Sequence, residues 1–185
     1  ELSRKAFFAL GLVVLVIILF ITFAFRGVSK PVSSWKYGLV AIVALIHDIL
    51  IPTGVFAVLG YYMGYEIDTL FVTALLAIFG YSVADTIVIF DRIRENLALN
   101  KDKKISFSDT VGQSLGQVYT RSINTSLTVI VVLLALFFLG PESTRYFAFM
   151  MTAGMFFGTY SSIFLASPLL VVWENYSSRK KAKLL

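Results

Sequence analysis

DTLFVTALLAIFGYSVADTIVIFDRIREN, residues 68–96, decides how this chain is read. From Thr69 to Phe90 it is nearly unbroken hydrocarbon with one carboxylate, Asp85, and it stops at the charged block Asp91-Arg92-Ile93-Arg94-Glu95-Asn96. Those 22 residues at a rise of ~1.5 Å make ~33 Å, enough to cross a hydrocarbon layer of ~30 Å. The stretch is a membrane-spanning helix with an acid inside it. An ionised Asp near such a helix centre costs roughly 2.5–3.5 kcal/mol on insertion scales, so it belongs in a bundle interior or beside a water path, with a partner.

Composition extends the same reading to the whole chain. Its 185 residues are 58% hydrophobic and only 15% charged, and mean hydropathy is +0.83. A soluble domain is about half apolar and about a quarter charged. Five apolar runs fit spans, at about 6–25, 37–59, 69–90, 119–139 and 146–172. The expected fold is therefore all-α, a polytopic membrane helix bundle forming a single transmembrane domain over 1–185. A short amphipathic helix is expected at 106–118, where Ser106 and Asp109 make a capping-box-like start and Phe107, Val111, Leu115 and Val118 recur at helical spacing. It is expected to lie on the cytoplasmic membrane surface.

There are no cysteines, so neither disulfides nor thiolate metal sites are available, and no metal or cofactor is expected. The net charge of +5 could point to nucleic acid, but the basic residues flank the spans, where they set orientation. Lys and Arg concentrate in 26–36, 92–104 and the tail after Glu174. This bias puts the start of the chain outside and the C-terminus in the cytoplasm. The first run is long, lacks a small-residue cleavage pattern and follows Glu1, Arg4 and Lys5, so it reads as a span rather than a signal peptide. Without an initiator Met, the chain reads as part of a longer protein.

Polar residues inside the spans are the candidate site. His47 and Asp48 sit mid-span, four residues before Pro52, whose missing N–H favours a kink. Tyr81, Ser82 and Asp85 share one face of their helix, with Thr86 beside them; Arg121, Asn124, Thr125 and Thr128 share a face of the next. Counted from the cytoplasmic helix ends, Asp85 and Arg121 differ in depth by ~5 Å, a gap an arginine side chain can cover. Two readings stand: a structural pair with a snorkelling Arg121, or a protonatable Asp85 whose charge state is coupled to helix position. In the last span Gly154 and Gly158 have the spacing that lets helix backbones approach closely, and Pro168 is expected to bend its inner end.

Three motifs carry a family resemblance. Ala44-Leu45-Ile46-His47-Asp48, then Gly80-Tyr81-Ser82 with Asp85-Thr86 and Phe90 to Asn96, then Arg121-Ser122-Ile123-Asn124-Thr125-Ser126-Leu127-Thr128 resemble the SecF family. These are the smaller partners of SecD in bacterial SecDF export complexes, within the resistance-nodulation-division superfamily. The resemblance implies that the five spans are the last five of six, without the first span and periplasmic domain. It implies a proton relay at Asp85 and Arg121, and His47, Asp48, Tyr81, Ser82, Thr86, Asn124, Thr125 and Thr128 are expected as supporting polar groups. Ala84 stands where that family usually has Asn. The implied role is a non-enzymatic accessory subunit in the bacterial inner membrane that couples proton flow to late polypeptide export. Its implied partners are SecD, the SecYEG translocon, the exported unfolded polypeptide and membrane lipids, and no nucleic acid. The alternative is a proton-driven small-molecule exporter of the same superfamily. An intramembrane protease is disfavoured, because Asp48 and Asp85 lack a Gly-x-Gly-Asp context and His47 lacks a serine motif.

Overall fold

The computed structural model describes residues 32–64, 66–101 and 105–182, with side chains described to 179, and eight isolated positions between 8 and 23. The expected span 6–25 lies for the most part outside the described residues. Among those described, four helical stretches are long and apolar enough to cross a membrane. We label them α1 (Ser34–Met63), α2 (Thr69–Leu99), α3 (Phe107–Leu139) and a composite rod. The rod is α4 (Glu142–Ser161), a π-helical turn (Ser162–Ala166) and α5 (Ser167–Ala182). The described residues contain no strand. A lipid-bathed chain has to satisfy its backbone internally, and helices do this within one segment.

Local chemistry sets the helix ends. Gly64 closes α1 in the left-handed region, φ 72°, and its N–H donates to the Gly60 carbonyl. Asp68 opens α2 by accepting from the Phe71 N–H at 2.8 Å. Apolar character, however, marks the membrane and not the end of the helix. The block after Phe90 stays helical to Leu99, and α1 runs without a break through Pro52.

The segment 106–118 corrects the sequence reading. It is not a separate surface helix but the first three turns of α3, which continues to Leu139. The capping start is present, with Ser106 Oγ accepting from the Asp109 N–H at 3.1 Å and donating to Asp109 Oδ2 at 2.6 Å. Nothing at Val118–Tyr119 interrupts the ladder, and Gly112 and Gly116 each cost only about 1 kcal/mol. Its buried side faces the end of α2 instead of a lipid surface. Val111 and Val118 join Phe90 and Ile93 in one apolar cluster. Asn96 Nδ2 donates to Ser114 Oγ at 2.8 Å and to Gln117 Oε1 at 2.7 Å, and Arg92 Nε donates to the same Gln117 oxygen at 2.6 Å.

α4 touches α1, α2 and α3 and forms the centre of the bundle. Pro168 follows the π turn, and Ser167 Oγ donates to the Ser162 carbonyl at 3.1 Å within it. A widened turn gives room for the proline ring, which would clash with the carbonyl four residues back in a regular helix. Two apolar clusters fill the interior. One holds Phe56, Phe71, Ile78, Leu133 and Met150; the other holds Tyr37, Phe90, Ile93, Val111 and Leu170. At the second cluster's end a buried ion pair joins α1 and α5, Lys36 Nζ to Glu174 Oε2 at 2.7 Å. Lys36 also donates to Ser177 Oγ at 2.9 Å, and Trp35 meets Trp173 edge-on at 5.3 Å.

Candidate functional site

Polar side chains gather between the helices among the two apolar clusters, and their closed half is centred on Asp48. This carboxylate is wholly buried. Its Oδ1 pairs with His47 Nδ1 at 2.9 Å, and its Oδ2 accepts from Ser82 Oγ at 2.5 Å and Ser161 Oγ at 2.7 Å. Three helices thus converge on one side chain. The glycines of α4 make this possible. A Cβ at Gly154 would run into Ile78 Cγ1, so α4 lies directly against α2 there. One turn on, a Cβ at Gly158 would stand 3.6 Å from Ser82 Cβ and 3.8 Å from Asp48 Oδ2. The close-approach face expected from the Gly154–Gly158 spacing is this α4–α2 contact.

Further hydroxyl pairs surround that centre. Thr86 Oγ1 meets Ser162 Oγ at 2.9 Å, and Ser126 Oγ meets Thr159 Oγ1 at 2.5 Å. In an apolar setting each such pair removes two groups that would be costly alone.

The open half of these side chains is built around Asp85. Its Oδ2 is shielded from the surface yet has no hydrogen-bond partner, and the same holds for Ser122 Oγ on α3. Both residues border a cavity of about 140 Å³ between α2, α3 and α4, together with Tyr81, Ser82, Arg121 and Thr125. Carboxylate, guanidinium and hydroxyls on its walls could hold several waters. Arg121 is exposed and makes no ion pair with Asp85. The two share the cavity across a gap.

The remaining sequence candidates divide between these halves. Tyr81, Ser82, Asp85, Arg121 and Thr125 line one cavity. His47 and Asp48 lie outside its lining and connect to it through Ser82. Thr86 is buried against Ser162. Asn124 and Thr128 are exposed on the outer face of α3, where Thr128 Oγ1 donates back to the Asn124 carbonyl at 2.8 Å. Sequence reasoning missed Ser122, Ser126, Thr159, Ser161 and Ser162. Their signal was present: Ser161-Ser162 is a polar pair within an apolar span, and Ser122 and Ser126 sit one turn apart. Among the described residues no cluster of His, Asp or Glu is arranged to hold a metal ion.

Comparison with known proteins bears on what this site belongs to. Residues 1–176 match the family described as protein export membrane protein SecD/SecF, C-terminal. The chain is 50% identical over 175 residues to protein translocase subunit SecF of Thermobaculum terrenum, covering 95% of this chain and 54% of that protein. It is 39% identical over 183 residues to protein translocase subunit SecDF of Thermus thermophilus, covering 99% and 23% respectively. A crystal structure of SecDF from Thermus thermophilus, a translocon-associated membrane protein, matches with a TM-score of 0.83 at 38% identity, over 95% of this chain and 22% of that one. The super-membrane-facing form of SecDF gives 0.79 at 36% identity, over 93% and 22%. The chain spans about half the length of the SecF relatives it matches. Sequence identity across nearly its whole length, and a helix arrangement shared with SecDF, lead to one conclusion: the chain belongs to the SecD/SecF family of protein-export membrane proteins, with SecF subunits among its relatives.

Proposed function

We propose that this chain belongs to the membrane portion of a SecF-type accessory subunit, multi-pass in the bacterial inner membrane, that couples proton movement to late steps of polypeptide export. It acts with SecD beside the SecYEG translocon, on an unfolded polypeptide, and catalyses no covalent chemistry. Asp85 takes and releases the proton. Arg121 answers its charge from across the cavity. The observation that carries this reading is Asp85 Oδ2, a shielded carboxylate oxygen with no hydrogen bond of normal geometry, on a residue that lines a cavity shared with Arg121 and several hydroxyls. A proton can reach such a group through water, and gaining it removes the cost of a charge held in a low dielectric. Moving one charge through 100 mV provides ~2.3 kcal/mol, enough to bias a two-state bundle.

The exposed face of Arg121, Asn124, Thr125 and Thr128 is poorly suited to acyl chains and turns toward SecD helices. The Lys/Arg bias of the loops puts the start of the chain outside and its end in the cytoplasm.

The test uses the full-length protein assembled with SecD and measures stimulation of export by the proton-motive force. Asp85→Asn is expected to abolish that stimulation while the complex still co-purifies. Undiminished stimulation would overturn the relay. Arg121→Lys is expected to be poorly tolerated if the planar guanidinium is needed; full activity would make Arg121 an interfacial anchor.

A further inference from the structure

We propose that His47 and Asp48 form a second proton-holding station, loaded from the Asp85 cavity through the Ser82 hydroxyl. This rests on the proposed role of Asp85 and adds a branch to it.

The geometry is a continuous thread. Ser82 borders the cavity and donates to Asp48 Oδ2 at 2.5 Å, while Asp48 Oδ1 reaches His47 Nδ1 at 2.9 Å. A wholly structural acceptor needs no imidazole on its far side, and Ser82 would not need to face the cavity. His47 keeps 26% of its side chain exposed, while Asp48 keeps none. The thread therefore runs from the cavity, through the sealed centre of the bundle, to a partly open ring on α1.

Each step conserves the proton. To load the station, Ser82 Oγ gains a proton from the cavity as its own O–H bond breaks and that proton passes to Asp48 Oδ2. Once loaded, the proton rests on Asp48 Oδ2, with neutral His47 donating its Nδ1–H to Oδ1. Ser161 Oγ keeps donating to Oδ2 and fixes the carboxylate plane. The surroundings offer few competing charges. α2 brings Asp85 and the phenol of Tyr81 at the cavity. α3 brings Arg121 to that same cavity. The rod has no acidic or basic side chain between Tyr146 and Trp173 and offers Ser161, with Tyr160 half exposed beside it.

Infrared difference spectroscopy of the full-length protein with its SecD partner, followed through a pH titration, tests the station. Wild type is expected to show two carboxylic-acid C=O bands that come and go with pH. Asp85→Asn should remove one and Asp48→Asn the other. Ser82→Ala should keep the Asp48 band but slow its appearance after a pH jump, and His47→Gln should shift its midpoint. A structural role alone would lower thermal stability in these variants and move neither rate nor midpoint. If Asp48→Asn does not assemble, Ser82→Ala and His47→Gln decide the matter. A wild type with only the Asp85 band, or Ser82→Ala loading as fast as wild type, would overturn the station and leave Asp85 intact. Absence of both bands would sink the proposed relay as well.

Discussion

Asp48 and Asp85 are both carboxylates in apolar helices, and the bundle houses them in opposite ways. Asp48 is wholly buried, with donors from His47, Ser82 and Ser161. Asp85 Oδ2 is shielded but meets no donor and borders open space. Hydrogen bonds to a charged group contribute roughly 1.5–3 kcal/mol each, so Asp48 holds three helices together. An oxygen without a donor contributes nothing of this kind. Asp48 can change its proton only through its hydrogen-bonded neighbours, whereas Asp85 meets the cavity directly, and that difference separates a fastened group from an open one.

Substitutions can break or sharpen this contrast. Asp48→Ala should cost the most stability, on the order of 3 kcal/mol or more, because three donors lose their acceptor in a dry site. Thermal unfolding in detergent would show it, and an unchanged midpoint would erase the distinction. Gly154→Ala comes next, at about 1–3 kcal/mol, since its methyl would collide with Ile78 and push α4 off α2. Gly158→Ala meets ordinary contacts and should cost less than that; equal losses at the two glycines would mean the approach is uniform along the face. Ser126→Ala strands the Thr159 hydroxyl, which keeps its bond to the Met155 carbonyl, so about 1 kcal/mol is expected. Asp85→Asn should leave the unfolding midpoint nearly unmoved while proton-driven stimulation disappears. A fall as large as that for Asp48→Ala would make Asp85 a second fastening.

Much of the architecture was legible because hydropathy and helix periodicity report on it directly. The runs holding Tyr37–Leu59, Thr69–Phe90 and Tyr119–Leu139 fall inside α1, α2 and α3. The surface helix at 106–118 misled because hydropathy changes at Tyr119 while the backbone does not. Within the site, sequence could rank polar residues only by the helix they sit on. Asp85 stood out as the lone acid of its span, and Arg121, whose estimated depth lies near that of Asp85, lines the same cavity. Asp48 looked secondary because its strongest partners, Ser82 and Ser161, are 34 and 113 residues away. No local pattern connects them; that needs the glycine-faced approach of α4. On α3 the sequence favoured Arg121, Asn124 and Thr128, the exposed side, while Ser122 and Ser126 on the adjacent side are buried.

The ion pair between Lys36 and Glu174 has a mechanical consequence. Two charges locked together out of water, braced by the Trp35–Trp173 edge contact, resist separation far more than the hydrocarbon contacts elsewhere. That end of the bundle is therefore the one least able to come apart, and helix movement is expected at the opposite end, where α3 meets α4 at Gly140.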